Sequence, residues 1–113
     1  MDLKLFFADG TVVNIPDAQV ANTFFSRFLG LMGRKTMGCG AMVFYNCNAV
    51  HTFFMRFPMD VLYLDKDMNV IKHVKNIKPW KISVASRSAI TTVELPSAVV
   101  NKIPVRVVLE SIE

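Results

Sequence analysis

The sequence predicts a mainly β fold, a compact antiparallel β-sandwich or barrel with one short helix near residues 22–32. Three observations predict it. Short stretches rich in Val, Ile, Thr and aromatic residues recur along the chain, as they do in strands. Proline and Asp-Gly steps punctuate these stretches where turns belong. Helical periodicity is convincing in one segment only, and no linker or repeat divides the chain, so we expect residues 1–113 to form a single domain.

The first predicted element is a hairpin. Residues 3–7 and 11–15 are strand-like, and the Asp9-Gly10 step between them is typical of a tight hairpin turn. Pro16 follows directly and ends the second strand, because a proline has no N–H to donate to a neighbouring strand.

The predicted helix spans residues 22–32. Its apolar side chains recur at intervals of three and four residues, which places them on one face of a helix. Asn22 or Thr23 can cap its N-terminus, and Gly33 suits its C-terminal end.

From Ala41 onward the sequence predicts strands. Residues 61–64 and 70–74 flank a turn-forming segment and make a second hairpin. Residues 90–95 and 105–112, rich in Val, Thr and Ile, are further strands. Prolines punctuate strand ends at three positions, Pro79, Pro96 and Pro104.

Composition limits the functional classes. The chain has 113 residues, 52% of them hydrophobic, which is enough for its own core and argues against disorder. No apolar run approaches the ~18 residues of a membrane-spanning helix, and the N-terminus has no secretory signal. We therefore expect a cytoplasmic protein without a membrane partner, in which Cys39 and Cys47 are free thiols rather than a disulfide.

The charge is unevenly distributed. The formal net charge is +4, and no acidic residue occurs between Asp67 and Glu94. A solvated face is the plainer interpretation of this basic stretch, and a phosphate-bearing partner is the alternative. Its basic side chains are Lys72, His73, Lys75, Lys78, Lys81 and Arg87.

Residues 47–60 form the most informative segment of the chain. They place Cys47, His51, Arg56 and Asp60 in a sequence that otherwise suits a buried strand. Burying such groups costs free energy unless each one finds a partner, so we predict that they mark a site.

An extended conformation would divide the middle of that segment into two faces. The first face would carry His51, Phe53, Met55 and Phe57, and the second Thr52, Phe54 and Arg56.

Arg56 and Asp60 lie on either side of Pro58. The first interpretation is a structural ion pair that fixes this connection. Alternatively, Arg56 binds an anionic ligand, because a guanidinium group matches carboxylate and phosphate geometry.

Cys47 and His51 allow a soft-metal site. Together with Met55 they would suit copper, and without it zinc, although a complete zinc site would need Cys39 and His73 to converge with them. Two cysteines and two histidines lack the paired spacing of structural zinc sites, so we expect no metal and no other cofactor.

The same pair allows an enzyme. A Cys47 thiolate beside a His51 imidazolium, oriented by an acid such as Asp60, would begin cysteine nucleophilic chemistry. Nothing nearby indicates an oxyanion hole or a nucleophile elbow, so no catalytic residue is assigned.

The sequence Lys78-Pro79-Trp80-Lys81 is a second candidate site. Its tryptophan can stack on a base while the lysines contact phosphates, as in single-strand binding proteins. It can equally cover the end of a barrel with lysine stems packed along its ring. Because the chain has one tryptophan and no RNA-binding fingerprint, we do not expect nucleic acid as the partner.

Four motifs in order resemble domain of unknown function family 192, a group of uncharacterised small bacterial and archaeal proteins. The motifs are Phe28-Leu29-Gly30-Leu31-Met32-Gly33-Arg34, the run from Cys47 to Val61, Lys78-Pro79-Trp80 and Glu94-Leu95-Pro96. The resemblance implies a compact, mainly β fold with a short helix, and it brings no established activity, cofactor or substrate.

The chain departs from the family pattern in two places. Many members have a small residue and a glycine after the Glu-Leu-Pro element, where this chain has Ser97-Ala98-Val99. Many also have a Gly-Asp pair before the last strand, where this chain has Ile103-Pro104-Val105. No role of an aspartate at that turn can therefore be carried over.

We predict a small cytoplasmic binding module for a small anionic ligand, not clearly catalytic, whose ligand-binding residues are His51, Arg56, Asp60 and Trp80. The first alternative is an enzyme or a zinc or copper site around Cys47 and His51. The second is a structural domain that docks to another protein.

Overall fold

A computed structural model describes residues 1–21, 37–53 and 55–111. Over these ranges the chain is mainly β, as the sequence predicts, and its regular elements are ten strands. The helix predicted over residues 22–32 lies outside the described residues. In chain order the strands are β1 (Asp2–Phe6), β2 (Val12–Ile15), β3 (Ala18–Val20), β4 (Ala41–Tyr45), β5 (Ala49–His51), β6 (Met59–Leu64), β7 (Val70–Ile77), β8 (Ile82–Val84), β9 (Thr91–Pro96) and β10 (Arg106–Glu110).

Both predicted hairpins are confirmed. β1 and β2 pair antiparallel, and at their turn the Thr11 N–H donates to Asp9 Oδ1 at 2.9 Å. β6 and β7 also pair antiparallel, and in their loop Asp65 Oδ1 accepts the N–H groups of Asp67 and Asn69 at 2.9 and 3.0 Å. An aspartate that bonds to the backbone two residues on stabilises such a turn locally, which is why the sequence alone locates it.

The strands of the described ranges form three sheets. A three-stranded sheet has the order β10-β1-β2, a five-stranded sheet the order β3-β4-β9-β6-β7, and β5 pairs with β8 in a two-stranded ribbon. Every neighbouring pair is antiparallel except β3 and β4, which are parallel. Each sheet keeps two edge strands in this part of the chain, so no closed barrel forms there. The same ranges contain no helix long and apolar enough to cross a membrane.

Two clusters of buried side chains cover the two faces of the five-stranded sheet. The first brings Leu5 of the three-stranded sheet together with Leu62 of β6. The second brings Val50 of the ribbon together with Tyr63 of β6. Alternate residues of β6 therefore enter different clusters, and all six of its residues are buried. The ribbon is thereby anchored over the second face of the sheet, and it carries the candidate site.

Candidate functional site

The predicted site segment is not one continuous strand. β5 ends at His51, and a turn follows in which the Met55 N–H donates to the Thr52 carbonyl at 3.2 Å. Met55 and Phe57 are buried in the second cluster, whereas His51 is half-buried. The expected face shared by His51, Phe53, Met55 and Phe57 is therefore wrong, because the chain turns where that pattern requires it to stay extended.

Thr52 ties the segment to the Lys78–Lys81 turn. Its side chain is fully buried, and its Oγ1 donates to the Lys78 carbonyl at 2.7 Å and accepts the Lys81 N–H at 2.8 Å. The Thr52 carbonyl also accepts the Trp80 N–H at 2.9 Å, and the Thr52 N–H donates to the Lys81 carbonyl at 2.8 Å. The hydroxyl thus bridges the two ends of the turn, and the ends are fixed rather than free.

Trp80 has a left-handed backbone conformation, with φ of 67°. It is the third residue of a four-residue turn in which Pro79 is the second. The third position of a type II turn requires positive φ and therefore favours glycine. The residue is nevertheless 58% exposed, so more than half of its surface is not used for packing. A large aromatic residue at such a position is uncommon and marks Trp80 as a candidate functional residue.

Three aromatic rings lie in a row beside this turn. The Phe53 ring stacks on Trp80 with centroids 5.9 Å apart and planes 30° apart. The His51 ring lies 5.2 Å from Phe53, tilted by 36°. Two of the four predicted ligand-binding residues, His51 and Trp80, are therefore brought together through Phe53, a residue the sequence did not single out.

Exposed lysines flank the row. Lys78 and Lys81 are both exposed at the two ends of the turn that carries Trp80. We call the surface formed by His51, Phe53, Lys78, Trp80 and Lys81 the aromatic–basic surface. It combines apolar ring area with positive charge, which suits a ligand with an apolar part and an anionic part.

Asp60 lies away from that surface, inside the five-stranded sheet. β7 has a bulge here, because Met59 pairs with Ile77 while Val61 pairs with Val74. At the bulge the Asn76 N–H donates to Asp60 Oδ1 at 2.7 Å, and the Asp60 side chain is 1% exposed. The carboxyl group therefore holds the extra residue of β7 in place.

Arg56 is exposed in the loop after Phe53, and the structural ion pair expected between Arg56 and Asp60 is not formed. The ion pairs within the described ranges are Lys4–Glu110 and Lys102–Asp9. Burial of Asp60 within the sheet explains the difference, because its hydrogen-bond partner is the backbone of the neighbouring strand.

The basic stretch does not form one face. Lys72 Nζ donates to the Val84 carbonyl at 3.0 Å and lies 5.9 Å from the centre of the Tyr63 ring, on the ribbon side. Lys75 Nζ reaches the Asn101 carbonyl at 3.5 Å, in the connection that follows β9. Because these lysines diverge, the positive charge available to the aromatic–basic surface comes from the turn itself.

Cys39 and Cys47 do not form a disulfide, as expected. Cys39 Sγ donates to the Ala41 carbonyl at 3.4 Å, and Cys47 Sγ donates to the Ala49 carbonyl at 3.1 Å. In residues 1–21, 37–53 and 55–111, no three His, Cys, Asp or Glu side chains lie close enough together to hold a metal ion.

His73 lies on β7, directly opposite Leu62 of the first cluster. Partial burial lowers the pKa of its imidazole below the usual value of 6.5. The carboxyl group of Asp60 opposes that shift, and the charge of Lys75 adds to it. The neutral form of His73 is therefore favoured by its packing on β7. His73 lies opposite a residue of the first cluster, whereas the ribbon packs against the second cluster.

Comparison with known proteins agrees with this architecture. The chain belongs to domain of unknown function family 192, described as "Uncharacterized ACR", whose model matches residues 5–110. It is similar to an uncharacterised UPF0127 protein of Pyrococcus furiosus, 35% identical over 95 residues, which cover 80% of this chain and 81% of that protein. A UPF0127 protein of Thermococcus sibiricus is 35% identical over 89 residues, and the chain spans only 56% of its length.

Two solved structures have the same fold. A protein of unknown function from Novosphingobium aromaticivorans superposes with a TM-score of 0.80 at 17% identity, covering 96% of this chain and 84% of that one. A Sinorhizobium meliloti protein, provisionally described as a transcription regulator, gives a TM-score of 0.78 at 21% identity, covering 94% and 90%. At these identities the likeness shows the fold alone.

Proposed function

We propose that this protein is a small cytoplasmic binding module that takes a small anionic ligand on the aromatic–basic surface. The observation that carries the proposal is Trp80, an exposed tryptophan held in a left-handed conformation between two exposed lysines. Cys39 and Cys47 are not joined by a disulfide, which agrees with a reducing compartment such as the cytoplasm.

The backbone of Trp80 supports a role for its side chain. A left-handed conformation costs a residue with a Cβ roughly 1–2 kcal/mol, a cost that glycine does not incur. Despite that cost, 58% of the residue's surface stays exposed and available to a ligand. Its ring is held by Phe53 and by the turn that Thr52 closes, an arrangement that positions an exposed indole.

The charges around the indole support an anionic ligand. Lys78 and Lys81 lie exposed at the two ends of the turn that carries the indole. No acidic residue occurs in the sequence between Asp67 and Glu94 to neutralise the two lysines locally. An anion reaching this turn meets the two lysines beside apolar ring area, which strengthens their attraction relative to open water.

Fluorescence tests the proposal directly, because Trp80 is the single tryptophan of the chain. We would titrate the protein with anilinonaphthalene sulfonate, an aromatic anion, and with the corresponding neutral anilinonaphthalene, while recording tryptophan emission. We expect the anion to bind at least about tenfold more tightly and to change the emission, because the two lysines contribute only to the charged compound.

The Lys78→Gln/Lys81→Gln double variant should lose about tenfold in affinity for the anion. Each single variant, Lys78→Gln or Lys81→Gln, should also bind more weakly, whereas Lys66→Gln, which removes the same single charge from the β6–β7 loop, should bind as the native protein does. Equal binding of the charged and neutral compounds, or unchanged binding by the double variant, would overturn the proposal.

Docking to another protein is a second candidate, supported by the outer side of β8. Ile82 and Val84 are 66% and 58% exposed and extend the apolar area beyond Trp80. Sedimentation analysis tests its simplest form, the association of two copies. A chain that stays monomeric at every concentration would count against that form.

A further inference from the structure

We propose that the ligand of the aromatic–basic surface is a nucleoside phosphate, whose base stacks on Trp80 and whose phosphate is held by Lys78 and Lys81. This inference rests on the proposed function and names its ligand class. Both parts of such a molecule find a matching group within one four-residue turn.

The ring system supports a planar ligand part. Phe53 stacks on Trp80 at 5.9 Å and 30°, and His51 lies 5.2 Å from Phe53. The indole is thus backed by other rings and keeps a defined orientation while 58% of its surface is exposed. A flat heteroaromatic ring gains more from such a platform than a flexible aliphatic chain does, because stacking needs two flat faces.

The turn supports a phosphate next to the ring. The Thr52 hydroxyl holds the Lys78 carbonyl at 2.7 Å and the Lys81 N–H at 2.8 Å, so the two lysines start from fixed backbone positions on either side of Trp80. Their ammonium groups are exposed and follow flexible stems. A phosphate joined to the base through a sugar reaches them while the base remains on the indole.

A single nucleotide fits better than a strand of nucleic acid. A strand needs successive platforms for successive bases, together with a positive groove along its backbone. Here Phe53 stacks on Trp80 and His51 lies tilted against Phe53, so the described rings contact one another instead of offering separate platforms. Lys72 and Lys75 reach Val84 and Asn101 instead of extending the charge of the turn.

The test compares adenosine monophosphate, adenosine and ribose phosphate by tryptophan fluorescence and calorimetry. We expect adenosine monophosphate to bind and quench Trp80, and the two halves to bind at least about tenfold more weakly, because each half uses one part of the surface. Monophosphates of the other bases should bind within about tenfold of the adenine compound, because stacking does not read base edges.

Substitutions locate the site. By calorimetry, Trp80→Phe should keep binding within about tenfold, because it retains a flat ring, whereas Trp80→Leu should lose it. Lys78→Gln/Lys81→Gln should lose about tenfold, whereas Lys66→Gln, which removes one exposed charge outside the surface, should bind as the native protein does. Nucleotide binding that survives Trp80→Leu would overturn the inference.

The outcomes also separate this inference from the proposed function. Two results would contradict the nucleotide inference but not the proposed function. The first is that ribose phosphate binds as tightly as adenosine monophosphate. The second is that anilinonaphthalene sulfonate binds while no nucleotide does. Failure of all these compounds would overturn both. Binding of oligoadenylate that tightens more than about a hundredfold with length would replace the single nucleotide by a strand.

Discussion

Thr52 and Trp80 are joined by a hydrogen bond of 2.9 Å from the Trp80 N–H to the Thr52 carbonyl, and the Thr52 hydroxyl closes the turn on either side of Trp80. The two residues are far apart in sequence, and their contact joins the end of β5 to the connection before β8. The position of the indole thus depends on a buried threonine that contributes no exposed area of its own. Four predictions follow from the contacts of this turn and of β7.

Thr52→Val should destabilise the protein by about 2 kcal/mol, because it leaves the Lys78 carbonyl and the Lys81 N–H without their buried partner. Thr52→Ser keeps the hydroxyl and should cost clearly less. Urea unfolding followed by circular dichroism measures both. A valine variant as stable as the serine variant would show that the hydroxyl does not hold the turn.

Trp80→Gly should be more stable than Trp80→Ala by about 1 kcal/mol, because alanine retains the strain of a left-handed residue and glycine does not. Both variants lose the same stacking on Phe53, so their difference isolates the backbone. Both should also lose affinity for anilinonaphthalene sulfonate in calorimetry. If alanine were the more stable of the two, the tryptophan would not be strained.

Asp60→Ala should destabilise the protein by about 2 kcal/mol, because the Asn76 N–H at the bulge loses its acceptor. Asp60→Asn keeps an acceptor oxygen and should cost less. Because Asp60 is 1% exposed, the asparagine variant should bind anionic probes as the native protein does. Loss of binding in a folded asparagine variant would instead return Asp60 to the ligand site that the sequence predicts.

Stability should fall as the pH falls below about 6.5, and His73 should contribute to the fall. Partial burial lowers the pKa of His73 in the folded protein, so the unfolded chain binds a proton there first. Protonation therefore favours unfolding in that window, and above it the histidine is neutral in both states. Urea midpoints at about pH 5.5 and about pH 7.5 should differ less in His73→Gln than in the native protein. An equal difference in the two proteins would exclude His73 as a contributor.

Local sequence was enough for most strands and for both hairpins. Asp9 and Asp65 bond to backbone groups within a few residues of themselves, so the turns they form depend little on the rest of the fold. β3 and β8 were not predicted, because strands of three residues are too short to show a pattern. Their pairing with β4 and β5 defines them instead.

The candidate site was predicted in part. His51 and Trp80 were selected as an unusual polar residue and an aromatic residue between cations, and they do lie at one surface. Phe53 and Thr52 were missed, since a phenylalanine or threonine in a strand-like segment looks like core. The hydroxyl of Thr52, in a segment that otherwise suits a buried strand, was the one indication that the sequence offered. Such a hydroxyl needs a hydrogen-bond partner once it is buried, as Thr52 is.

By itself, the sequence determined the mainly β class, the hairpin turns and the family. These features depend on residues that are close together in the chain, and the sequence shows the chemistry of those residues. Only the tertiary structure decided that Asp60 caps the bulge at Asn76 and that Thr52 closes the turn of Trp80. Such contacts depend on strand register and on packing between layers, and a shift of one residue in register would place each side chain on the opposite face.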